Sequence, residues 1–120
     1  MKPGFLKNYM AAPAAKPARA DKVYEGKHES GNAIVTVNGQ ALNDRHDLKF
    51  HSPTGFEWGY GGSGPAQLAL AILADHLGDD ERALDLYQEF KFKVVAALPY
   101  SFWKLTTQDV DKAIRRITTQ

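Results

Sequence analysis

The chain has 120 residues, of which 43% are hydrophobic and 24% charged, with a formal net charge of +1 and no cysteine. That size fits one domain with an ordinary core. The lack of thiols excludes a disulfide framework, a thiolate nucleophile and a cysteine-based zinc site, and it fits a reducing, cytoplasmic setting.

Charge is unevenly spread. In residues 1–22, Lys2, Lys7, Lys16, Arg19 and Lys22 stand against Asp21 alone, a balance of +4 that leaves −3 for the other 98 residues. Pro3, Pro13 and Pro17 interrupt this stretch, and it has no periodic apolar face. It reads as a flexible basic tail ahead of a single compact domain over 23–120. Such a tail suits acidic surfaces, phosphates or a partner. The acidic remainder is poorly matched to nucleic acid. The start lacks the apolar core of a signal peptide. No apolar run approaches the roughly 18 residues of a membrane span.

Val23-Tyr24 opens a first short strand. Ala33 to Val37, AIVTV, is β-branched and reads as another. Asn38-Gly39 follows it, a dipeptide suited to the left-handed positions of a tight hairpin, with Gln40 to Leu42 returning. Asn43 to Phe50 is polar and then alternates, as a further short strand or an irregular connection. His51 to Gly55 reads as a turn around Pro53.

The central stretch runs HSPTGFEWGYGGSGPAQLALAIL from His51 to Leu73. Phe56, Trp58 and Tyr60 are spaced by two, so an extended segment places all three on one face and Glu57 on the other. Phe56 and Trp58 are expected to be buried, with Tyr60 nearer the surface. Pro65 suits the first turn of a helix running to Leu77, capped by Ser63 or Gly64 and closed by Gly78. This helix is apolar nearly all round apart from Gln67, Asp75 and His76, so it is expected in the core. His76 is expected to hydrogen-bond the second helix.

Asp79 caps that second helix, which runs to about Leu98 before Pro99. Ala83, Leu86, Tyr87, Phe90, Val94, Ala97 and Leu98 form its apolar stripe. Tyr100 to Leu105 crosses over with Phe102 and Trp103 as packing anchors. Thr106 then caps a third helix with Asp109 at N3. The predicted fold is α+β: a small antiparallel sheet of two or three strands, with a hairpin at Asn38-Gly39, packed against about three helices.

The motif SPTGFEWGYGGSGPAQLALAIL, followed by ADHLGDDERALDLYQEFK and VVAALP, closely resembles a family known only as a domain of unknown function. That family is associated with bacterial, phage and mobile-element proteins. The resemblance covers most of Val23 to Ile117 and implies one intact domain. It carries no established activity, so it assigns no catalytic residue.

Several chemistries are weighed on the residues themselves. The GGSGP loop ahead of the Pro65 helix can offer N–H groups to an anion, but it lacks the Lys-Ser/Thr of a phosphate-binding loop. Asp44, His46, Asp47 and His51 form a loose polar cluster without the spacing of a zinc helix. A Ser63–His51–Glu57 triad can be drawn, but no nucleophile-elbow motif supports it. The segment LADHLGDDERALDLYQEF superficially resembles a helix-turn-helix, yet Asp79, Asp80, Glu81, Asp85 and Glu89 on its second helix would repel phosphates. The reading is therefore a non-enzymatic binding or regulatory protein with a protein partner, no cofactor, no metal and no membrane. Its binding surface is the rim of Gly55 to Gly64, with His51, Glu57, Trp58, Tyr60 and Ser63 as candidate contacts. An inhibitor of a host complex is one version of this. A nucleic-acid accessory protein using the basic tail, with Lys112, Arg115 and Arg116, is the first alternative. A small anion-binding or hydrolytic protein at the glycine loop is the second.

Overall fold

The computed structural model describes residues 21–119, so the proposed tail lies outside the described residues except for Asp21 and Lys22. Strand β1 (Val23–Glu29) is followed by β2 (Asn32–Val37) and β3 (Gln40–Ala41). Two-residue turns join them. Ser30 and Gly31 have φ of 52° and 81°, and Asn38 and Gly39 have φ of 50° and 81°. Both pairs sit in the left-handed region that a hairpin turn of matching twist requires. The Asn38-Gly39 hairpin is as the sequence predicts. The hairpin at Ser30-Gly31, and the length of β1, are not.

Helix α1 (Ser63–Leu77) and helix α2 (Asp80–Lys93) follow, then a 3-10 turn at Val95–Ala97, strand β4 (Phe102–Thr106) and helix α3 (Thr107–Thr118). The sheet is antiparallel with the order β3-β2-β1-β4, so the segment read as a crossover supplies a fourth strand. Asn43 to Phe50 contains turns and no strand.

Register decides which side chains enter the core. β1 pairs Tyr24 with Val37 and Gly26 with Val35 on one side, and Gly26 with Trp103 on the other. Tyr24, Gly26, Val35 and Trp103 are all buried, whereas the alternate residues Lys27, Phe102 and Lys104 are exposed. Strand periodicity accounts for this division. Trp103 is thus a core anchor, while Phe102 points away from the core and is not.

α1 is buried along nearly its whole length, including Gln67 and His76. Its apolar side chains form one core with Tyr24, Val35, Trp58, Tyr87, Phe90, Trp103 and Val110. Gly62 stands at its N-cap without a side-chain bond, and Gly78 closes it at φ 63°. His76, expected to bond the second helix, bonds Asp111 of the third helix α3 at 2.7 Å. Asp79 accepts from the Arg82 N–H at 3.1 Å, and Thr106 and Asp109 form a reciprocal capping box. Lys22 is tied to both α1 and α3. Its ammonium reaches the Asp75 carboxylate at 3.0 Å, and its N–H donates to the Thr107 hydroxyl at 2.7 Å.

α2 ends at Lys93, short of the expected Leu98; a 3-10 turn covers Val95–Ala97, and the chain is extended at Leu98 before Pro99. Leu98 accordingly has ψ of 141°. The carbonyls of Val95, Pro99 and Tyr100 beyond the end of α2 become docking points for the central stretch.

Close packing of Trp103 on Gly26 yields a direct test. A Cβ at Gly26 would lie 2.3 Å from the Trp103 ring. Gly26→Ala is expected to destabilise the domain by about 1–3 kcal/mol, the usual cost of overpacking a filled core. Urea unfolding should show a lowered midpoint; an unchanged midpoint would refute the packing.

Candidate functional site

The stretch from Gly55 to Gly64 is anchored from below, first of all by Trp58. Trp58 is 2% exposed, and its indole N–H donates to the carbonyls of Pro99 and Tyr100 at 3.0 and 3.1 Å. Its ring meets Trp103 edge to face, with centroids 5.6 Å apart. The Gly59 N–H donates to the Val95 carbonyl at 3.0 Å. Gly59 has φ of 89°, which turns the chain out of the extended path at that point. Phe56, expected to be buried like Trp58, is only half-buried and packs against the edge of the core.

Glu57 finds a partner the sequence did not indicate. Its carboxylate lies 2.9 Å from Nε2 of His28, at the end of β1. Nδ1 of His28 lies 2.7 Å from the Tyr100 carbonyl. Both ring nitrogens therefore face acceptors, so the doubly protonated imidazolium satisfies both at once. Tyr100 stacks on the same imidazole with centroids 3.9 Å apart, and Trp58 leans against it at 4.4 Å. Burial works against a charge on His28. The hydrogen bonds to Glu57 and the Tyr100 carbonyl, together with the Glu57 charge, outweigh it and raise the pKa above its ordinary value.

His51 behaves in the opposite way. Its Nε2 lies 2.7 Å from the Tyr87 hydroxyl, which also accepts from the Gln88 amide at 3.2 Å. The Tyr87 proton is thus free to be donated to His51, which fits a neutral imidazole protonated on Nδ1. Burial, followed by repulsion from Lys49 and Lys91, lowers the His51 pKa.

The other proposed residues occupy different places. Tyr60 is 53% exposed and lies against Gly62, where a Cβ would come within 2.6 Å of its ring. Ser63 is exposed at the first residue of α1. No hydrogen bond joins His51, Glu57 and Ser63 to one another; Glu57 is engaged with His28 and His51 with Tyr87. The stem of Glu57 covers Gly64, where a Cβ would meet it at 2.8 Å.

Of the loose polar cluster, Asp44 and His46 stay together, with Nδ1 of His46 3.4 Å from the Asp44 carboxylate, while Asp47 and His51 turn to other partners. His46 bonds the Ser52 carbonyl at 2.9 Å, while Asp47 is engaged by Arg45. Arg45 grips Asp47 and Asp80 with paired hydrogen bonds of 2.9–3.1 Å, fastening this loop to the start of α2. These bonds hold the Asp47 carboxyl below its ordinary range. Among the described residues no three His, Asp or Glu side chains converge as a metal site.

What the stretch presents outward is aromatic. Phe92 lies over Gly61, where a Cβ would sit 3.1 Å from its ring. Tyr60, Phe92 and Tyr100 are 53%, 63% and 64% exposed. They flank the glycine loop and the His28–Glu57 pair. Phe92 and Tyr100 escape a sequence reading because Phe92 lies off the apolar stripe of α2 and Tyr100 in a connecting segment, and neither position indicates that it would gather beside the glycine loop. His28 would have been found by extending the Tyr24, Gly26 alternation two residues further.

Residues 24–116 match the model of a family described as a family of unknown function (DUF6166), and the chain belongs to that family. No curated protein and no solved structure matches it. No helix of the described residues is long and apolar enough to cross a membrane.

The two histidines give opposite pH dependences. His28 has a folded pKa above its ordinary value of 6.5, so its contribution to stability is full below about pH 6.5 and is lost as pH rises through the folded value. His51 has a lowered folded value, so its contribution is present above about pH 6.5 and is lost as pH falls through that lower value. Urea midpoints measured on the alkaline side should fall for the natural chain, with a shallower slope in His28→Gln. Equal slopes would show that the His28–Glu57 pair does not couple to folding.

Proposed function

We propose that this domain is a non-enzymatic binding protein that engages a partner protein through the aromatic rim of its glycine loop. The observation that carries the reading is the exposure of Tyr60, Phe92 and Tyr100, each more than half open to solvent, around a loop whose own anchors are buried. Large exposed aromatics grouped on one surface are the side chains that most often dominate protein contacts. Trp58, Gly59 and the His28–Glu57 pair hold the loop from beneath, which lowers the ordering cost of an encounter. The chemistry needed for hydrolysis is not assembled, since Ser63 lacks a base at hydrogen-bond distance among the described residues.

We further place the partner in a host macromolecular complex within the cytoplasm. This rests on the resemblance of the central motif to bacterial, phage and mobile-element proteins and on the absence of cysteine. Its consequence is that the domain acts by occupying a surface, with inhibition as the simplest outcome.

The test uses the full chain as bait in an extract of its native host, beside a Tyr60→Ser/Phe92→Ser variant. Both rings are exposed, so the variant should melt close to the natural chain. Losing rim contacts of hot-spot quality weakens binding by about 2 kcal/mol or more per residue. The expected result is a partner recovered by the natural chain and lost by the variant. A partner retained by a folded variant would move the binding surface elsewhere.

A further inference from the structure

A second surface has a different chemistry. Lys93 and Val94, at the end of α2, face Asp109, Lys112, Ala113 and Arg116 of α3 across an open cleft of about 160 Å³. Val94 and Ala113 are half-buried and give it an apolar floor, while Lys93, Lys112 and Arg116 are exposed around it. Three cations thus surround one carboxylate. That carboxylate is already engaged, since Asp109 accepts the Thr106 N–H at 2.9 Å in the α3 capping box. Lys93 reaches Glu89 only at 4.0 Å on an exposed helix face, an ion pair of little strength. Lys112 makes no ion pair with any described residue.

We propose that this cleft takes an acidic peptide segment of a partner protein, with one apolar side chain on the Val94–Ala113 floor and flanking carboxylates on Lys93, Lys112 and Arg116. Charge complementarity selects the occupant. The three cations of the cleft stand in a domain whose residues 23–120 carry a balance of −3. A long polyanion such as DNA extends beyond the cleft and meets that opposing charge. A short acidic peptide does not. The apolar floor supplies a contact that a phosphate backbone leaves unused. None of these residues belongs to the glycine-loop rim, so this contact stands independently of the proposed partner surface there.

The test titrates the isotope-labelled full chain with the peptide Asp-Glu-Leu-Asp-Glu at low salt and follows amide shifts. The expected shifts centre on Lys93, Val94, Lys112, Ala113 and Arg116. Lys112→Glu/Arg116→Glu should weaken binding about tenfold or more, and serine in place of the peptide leucine should weaken it several-fold. Lys93→Glu serves as an independent variant if the double substitution disturbs folding. Absence of shifts at the cleft, or insensitivity to the cleft variants, overturns the proposal. So does insensitivity to loss of the leucine. A short DNA duplex that binds the same residues at least as tightly as the peptide would replace the acidic peptide with nucleic acid.

Discussion

An entire loop depends on the amide of Gln67, a polar group buried on α1. Gln67 is fully buried, and its side-chain oxygen accepts the N–H groups of His51 and Ser52 at 2.7 and 3.3 Å. Its nitrogen donates to the carbonyls of Asp44 and Lys49 at 2.6 and 3.0 Å. Four backbone groups of a segment without regular structure are thereby satisfied. Leaving a buried polar group unpaired costs about 1–3 kcal/mol, so this residue outweighs any exposed ion pair in the domain. Its identity follows from the demand. A neutral side chain with both donors and an acceptor is needed, and a glutamate would present acceptors to two carbonyls.

The same logic recurs at the central stretch, where irregular chain is fixed by side chains from distant elements. Trp58 takes up the Pro99 and Tyr100 carbonyls, Gly59 takes up that of Val95, and Arg45 clips the preceding loop to Asp80. The rim aromatics are therefore mounted on a scaffold whose polar groups are accounted for, and their exposure is a property of fixed geometry. His28 and His51 show how local surroundings separate two like groups. One is flanked by a carboxylate and a carbonyl, the other by a hydroxyl and two lysines.

Local signals were legible in the sequence, and long-range pairings were not. Asn38-Gly39, Asp79 and the Thr106–Asp109 box each act over a few residues through a specific backbone demand, so their outcome can be read directly. Ser30-Gly31 hid its hairpin because serine seldom occupies the left-handed region. β4 was concealed because Phe102 and Trp103 are both large and aromatic; only the pairing with β1 separates an outward ring from an inward one. At the candidate site, the burial of Trp58 and the exposure of Tyr60 follow from alternation and the tyrosine hydroxyl. The His28–Glu57 pair joins residues 29 positions apart and depends on sheet register, which composition does not encode. Gln67 was visible only as a polar exception on an apolar helix; nothing local specifies the four backbone groups it serves.

α1, through Gln67, fixes the loop leading into the central stretch. Native-state hydrogen exchange of Gln67→Met tests it most directly, since methionine preserves the approximate length of the side chain and removes every hydrogen bond. The account predicts that the His51 and Ser52 amides lose about tenfold or more of their protection relative to the amides pairing β1 with β2. Retention of their protection in a folded Gln67→Met chain would contradict it.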